Sequence, residues 1–278
     1  LEANLYDLRM SRGPQPKADS RIVLVTVDEV TTKAFDEFAP LPLQLHTHFL
    51  EAIEKARPRA VGYLVDMNRV SEANPEQFGS EWGTRFVASA QRLEGRGIPV
   101  VLGTPFDVTG EVLPPYPLSS LSHSIALVHK DGNVFSEDKI TRRALTYLYD
   151  RPVFHIDLAQ RAGLIPAGRL PRGSFYVPEV DGQYFFFRYH DNPALASGGN
   201  PSGETGAPLA AAVPNALPYA RYSFSDVIKG IVPPDAFEGK IVLVGTLTKE
   251  DSSDFSFTPY SKLSFSSPKV AIHATILD

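Results

Sequence analysis

The chain contains no cysteine. That excludes thiolate zinc sites, thiol nucleophiles and disulfides, and it leaves the compartment open, because periplasmic and cytosolic proteins alike can lack the residue. Runs of about eighteen apolar residues are missing too, so no stretch reads as a membrane-spanning helix. A basic excess is absent: 27 Lys and Arg against 32 Asp and Glu leave a net charge of -5. Broad nucleic-acid binding needs the opposite balance. The 7 histidines show no metal-ligand spacing. Their one close pair, His46 and His48, is spaced i, i+2 and does not share a helix face. Leu1 is neither an initiator methionine nor the start of a basic leader, and the expectation is a domain excised from a longer protein.

What is present reads as a folded α/β protein. The 278 residues, 43% hydrophobic and 21% charged, suffice for a sizeable core. "RIVLVTVDE", "AVGYLVDM", "IPVVLGTPFD" and "GKIVLVGT" are unbroken apolar runs, the mark of strands buried on both faces. "LQLHTHFLEAIEKARP" and "SEWGTRFVASAQRLEGRG" carry helical spacing, ended by Pro58 and by Gly95 and Gly97. Their alternation predicts a central, mostly parallel sheet flanked by helices. The middle predicts a hairpin-rich insertion: "SIALVHKDGNVF" and "SFYVPEVDGQYFFFRYH" each place Asp-Gly between apolar runs. "FHIDLAQRAG" reads as a short helix. "YSFSDVIKG" reads as another, capped by Ser223 or Ser225. Residues 191–218, rich in Gly, Pro and Ala, predict a long flexible surface loop. "LEANLYDLRM" and "VAIHATILD" give helices at both ends, the second read as amphipathic.

Ligands of open parallel sheets bind beyond the carboxyl ends of the strands. Acids cluster there in the sequence: Asp28 and Glu29, Asp66, Asp107, and Glu250, Asp251 and Asp254. Together they suit an oxygen-liganded cation such as Ca²⁺ or Mg²⁺, or a cationic ligand. The competing reading is that Asp28 and Asp66 cap the backbone that follows them. Arg9, Arg142 and Arg143 are candidate neighbours. His273, on the last helix, is a candidate rim residue or a packed histidine. Enzyme motifs are incomplete. A phosphatase of the haloacid-dehalogenase type needs an acid two residues after Asp28, and Val30 cannot transfer a proton. "GGNPSG" lacks the Lys-Ser/Thr of a phosphate loop, and no "GxSxG" elbow occurs.

In order along the chain, "YDLRM", "RIVLVTVDEVT", "HTHFLEAIEKARPRAVGYLVDM", "DGNVFSEDKITRRAL", "YSFSDVIKGIVPPDAFEGKIVLVGTLTKEDSSDFSFTP" and "VAIHATILD" resemble the CHASE domain of the second type. This is the cyclase- and histidine-kinase-associated sensory extracellular domain. The chain departs from the family pattern at "GTLT" and at "SPKVAIHA". The resemblance implies that residues 1–278 form a single sensor domain on the periplasmic or extracellular side of an inner-membrane receptor. It implies missing flanking membrane helices, a homodimer, and a cytoplasmic cyclase or kinase output. The signal would be a small molecule, an ion or a protein. The alternative is an interaction or dimerisation module without a small-molecule ligand.

Overall fold

The computed structural model describes residues 2–12, 16–107, 110–128, 138–178, 181–190, 217–248, 254–263 and 265–278. Helix α1 (Glu2–Arg12) precedes β1 (Ile22–Val27), α2 (Glu29–Phe35) and α3 (Leu43–Ile53). Then come β2 (Ala60–Tyr63), α4 (Met67–Ala73), α5 (Pro75–Phe78), α6 (Glu81–Gly95) and β3 (Val100–Thr104). A two-residue ladder, β4 (Phe106–Asp107) with β5 (Gly110–Glu111), leads toward β6 (Ile125–Leu127). The middle holds β7 (Arg143–Leu148), β8 (Arg151–Pro152), α7 (Phe154–Arg161), β9 (Phe175–Val177) and β10 (Gly182–Phe186). The chain closes with β11 (Ala220–Ser223), α8 (Phe224–Ile228), β12 (Ile241–Thr246) and α9 (Lys269–Leu277).

Six strands form one all-parallel sheet in the order β11-β1-β12-β2-β3-β6. Every residue of β1 is buried, which is why its sequence shows no polar alternation. On one face Val23, Val25, Val61, Tyr63, Val242 and Val244 meet the apolar sides of α3, α6 and α8. On the other, Leu24, Ala60, Val101 and Leu243 meet α7 and α9. A second sheet, antiparallel in the order β8-β7-β10-β9, covers the outer sides of those two helices. Helix α9 is therefore packed between two sheets, and Val270 to Ile276 are all buried. The amphipathic expectation for this helix is corrected: its sequence is apolar all round because it has no solvent side.

Gly245 marks the closest approach of α9 to the sheet. A Cβ there would lie 2.7 Å from Cβ of Val270. Gly245→Ala is expected to lower stability by roughly 1–3 kcal/mol through overpacking. Gly95→Ala, where a Cβ meets nothing within 4 Å, is the control. It should be neutral or stabilising by up to about 1 kcal/mol. Urea midpoints of the two variants make the comparison.

Several local expectations are corrected. In "SIALVHKDGNVF", expected as a hairpin, Ile125–Leu127 joins the central sheet parallel to β3, and the second arm lies outside the described residues. Its "KDGN" turn lies outside the described residues. The hairpin in "SFYVPEVDGQYFFFRYH" is present as β9 against β10. The third central strand stops at Thr104, so Asp107 belongs to the small β4–β5 ladder. "YSFSDVIKG" begins as strand β11, and α8 starts only at Phe224. Ser223 occupies the cap position without capping; its hydroxyl donates to Asp28 instead. Of the expected loop 191–218, residues 191–216 lie outside the described residues.

Candidate functional site

The direction in which the chain leaves each strand determines where the sheet opens. After β2 it turns into α4, whose Val70 packs on the face of α3 and α6. After β12 it crosses to α9 on the opposite face. These two strands are neighbours in the sheet. Adjacent parallel strands whose continuations diverge leave a crevice beyond their carboxyl ends. A cleft of about 350 Å³, part of it open to solvent, lies there. One wall carries Val65, Asp66 and Arg69, and the other carries Thr246 and Thr248. Asp254 and the Ala39–Pro40 pair complete the lining. The enclosed part is about 30 Å³, room for an ion or for a water molecule or two.

The acids at the strand ends have separate fates. Asp28 is 4% exposed. Its Oδ1 accepts from the Thr31 backbone N–H at 3.0 Å and from the Thr31 hydroxyl at 3.1 Å. Its Oδ2 accepts from the Ser223 hydroxyl at 2.7 Å and the Thr26 hydroxyl at 3.3 Å. The carboxylate caps α2 and ties β11 to β1. It points into the protein and does not line the cleft. Glu29 follows in the first turn of α2, half-buried, where a negative charge complements the helix dipole.

Asp66 caps α4: its Oδ1 accepts from the Asn68 backbone N–H at 3.0 Å. It does so from the lip of the cleft, so capping and lining coexist in one residue. The structure brings Asp66 and Asp254 to the same cleft. The side chain of Asp107, and Glu250 and Asp251 entirely, lie outside what the structure describes. His273 is 1% exposed on α9, its ring 6.2 Å from Phe154 and 6.1 Å from His155. It packs between α9 and α7 and does not line the cleft.

Among the lining residues that were not expected are Arg69, Thr246 and Thr248, the polar ones. Arg69 sits on α4, a seven-residue helix whose short apolar pattern gives little periodicity to detect. Thr248 follows β12 in "GTLT" and is 2% exposed. Its hydroxyl has no hydrogen-bond partner among the described residues. A buried hydroxyl at a cleft wall is a group that a ligand can satisfy.

The arginines expected near the rim are elsewhere. Arg142 forms a double fork to the N-terminal helix and to Asp138. Its Nε and one terminal nitrogen each reach Asp7 at 2.7 Å. Asp138 accepts at 2.7 and 3.1 Å. The Arg142 hydrogen bonds pull the Asp138 carboxyl down to about 2. Arg143 lies over the Phe186 ring at 5.6 Å.

The segment carrying Asp254 also touches both terminal helices. Phe255 bridges to Pro268, the residue before α9, and Ser256 N–H donates to the Ser267 carbonyl at 2.9 Å. The Tyr260 hydroxyl donates to the Met10 carbonyl in α1 at 2.8 Å.

No helix among the described residues is long and apolar enough to cross a membrane, and no group of three or more His, Cys, Asp or Glu there could hold a metal ion. No curated protein and no solved structure matches the chain. A family model, described as the CHASE2 domain, matches residues 1–278. That family is one of sensory extracellular domains, and the chain belongs to it.

Proposed function

We propose that the chain is the extracytoplasmic sensor of a transmembrane receptor, and that the cleft between the ends of β2 and β12 takes the signal. Residues 1–278 act as one domain in this reading. One observation carries it. The segment that lends Asp254 to the cleft also closes onto the start of α9 and bonds to α1 through Tyr260. A guest in contact with Asp254 and Thr248 can therefore favour one arrangement of that segment over another. The bias reaches both terminal helices, and the size of the shift is set by the guest's differential affinity for the two states. The flanking membrane helices would pass it to a cytoplasmic cyclase or kinase.

Thermal unfolding against calcium, magnesium and a panel of small periplasmic metabolites tests the site. A guest that binds only the folded chain should raise Tm by about 5 °C at a hundredfold excess over Kd. The rise should vanish in Asp254→Ala and shrink in Thr248→Val. If no compound shifts Tm, the cleft reading fails. A second reading then gains weight, that of a dimerisation or docking module. Its support is the pair Leu5 and Leu8 on α1, 54% and 45% exposed. Sedimentation of Leu5→Glu against the parent chain reads that alternative directly.

A further inference from the structure

Arg221 holds a charge where a folded chain seldom leaves one. It lies on β11, at the edge of the central sheet, in register with Leu24 of β1. Paired residues of neighbouring strands turn to the same face. Leu24 is buried in the apolar cluster under α9, so Arg221 is directed into that layer. Its side chain is 3% exposed. Nε has no hydrogen-bond partner, and the guanidinium forms no ion pair with any of the described residues. Burial lowers its pKa, opposed by the charge of Asp28.

Asp28 is the carboxylate that Arg221 senses, yet it is already committed. Four donors occupy its two oxygens: the Thr31 N–H and hydroxyl on one, the Ser223 and Thr26 hydroxyls on the other. That fills the lone-pair positions of a carboxylate. The Nε–H donor is thus held in a dry environment without an acceptor among the described residues. Such a charge is costly until a partner arrives.

We propose that Arg221 is the anchor of an oxyanion site at the β11 edge, taking the carboxylate or phosphate group of a small ligand. The planar fork of a guanidinium matches either group with two parallel hydrogen bonds. No strand among the described residues pairs with the outer side of β11, so the approach is from the margin of the sheet. The site is separate from the cleft, because β1 lies between β11 and β12.

The test compares the parent chain with Arg221→Met and Arg221→Lys in phosphate, sulfate and acetate, at ionic strength matched with chloride. Without an added oxyanion, Arg221→Met should melt at least about 3 °C higher than the parent, because an unpaired buried charge has been removed. With an oxyanion, the parent should gain Tm in a saturable way and Arg221→Met should not. The difference between the two proteins removes the general stabilisation that phosphate and sulfate give any fold. Arg221→Lys keeps the charge and loses the fork, so titration calorimetry should give it at least tenfold weaker binding. Saturation by acetate alone identifies a carboxylate ligand, and saturation by phosphate or sulfate alone a phosphorylated or sulfated one. The proposal is overturned if Arg221→Met is less stable than the parent, or if both proteins respond equally to all three anions.

Discussion

Arg142→Met should destabilise the chain by roughly 3 kcal/mol and loosen α1 while leaving the central sheet intact. Arg142 is 5% exposed and is shared by Asp7, 18% exposed, and Asp138. Removing one member of a buried ion pair leaves its partners charged and desolvated, and such losses run to about 3–5 kcal/mol. The lower figure applies here because Asp138 is 36% exposed and regains water. The ties of α1 that remain include the Tyr6 hydroxyl to the Phe187 carbonyl, the Tyr6 ring against Phe186 and the Tyr260 hydroxyl to the Met10 carbonyl. Hydrogen exchange should therefore quicken over residues 5–10 before it changes in β1 or β12. Asp7→Asn should have a smaller effect, since Arg142 keeps Asp138. Unchanged exchange in α1 would mean that the fork does not hold the helix. The same chemical substitution is expected to have the opposite sign at Arg221, where no partner is left behind. The two variants together separate a paired buried guanidinium from an unpaired one.

Acid should weaken the fold through His46. This residue is fully buried in α3, with Nδ1 2.7 Å from the Tyr63 hydroxyl and its ring against Phe224. Burial pushes its pKa from 6.5 down to about 3. The unfolded chain accepts a proton at this residue below about pH 6.5 and the folded chain refuses it until about pH 3. His46 therefore contributes its full share of stability above pH 6.5 and loses it progressively as pH falls toward 3. At pH 4.5, two units below the unfolded value, the loss from this one group is about 2–3 kcal/mol. Urea titrations at pH 7 and pH 4.5 should show the parent losing that much more than His46→Gln. Parallel losses in the two proteins would show that His46 is not the group responsible. The carboxylates and other histidines are common to both and cancel in the comparison.

How far the sequence carried depends on whether each element is decided locally. The runs "IVLVTV" and "IVLVGT" announce strands buried on both faces, and the six-residue strands β1 and β12 occupy them. Helices α3 and α6 are long enough for their periodicity to show, and Ser80 caps α6 as its type suggests. Strand β11 is four residues long and its register depends on β1, so nothing local separates it from the helix that follows. Strand β7, "RALTYL", is covered on one side by α7 through Leu145 and on the other edge by β10, partners distant in sequence.

The site was half legible for the same reason. Asp28 and Asp66 look alike in the sequence, each following an apolar run. Ser223 arrives from a remote strand to saturate Asp28, whereas among the described residues nothing comparable closes over Asp66. Asp254 joins Asp66 only because β12 inserts between β1 and β2, an order that no local pattern encodes.

The burial of α9 on every side has a mechanical meaning. Its end is held at Asp278, whose carboxylate accepts from the Asp19 N–H at 2.8 Å and the Tyr219 hydroxyl at 3.3 Å. Tension applied along this helix loads its contacts with the parallel sheet and with the antiparallel sheet in shear at the same moment. Side chains interlocked in shear yield together, whereas a surface helix peels away turn by turn. A pull or push at residue 278 is thus transmitted to the whole two-sheet body as one stiff unit.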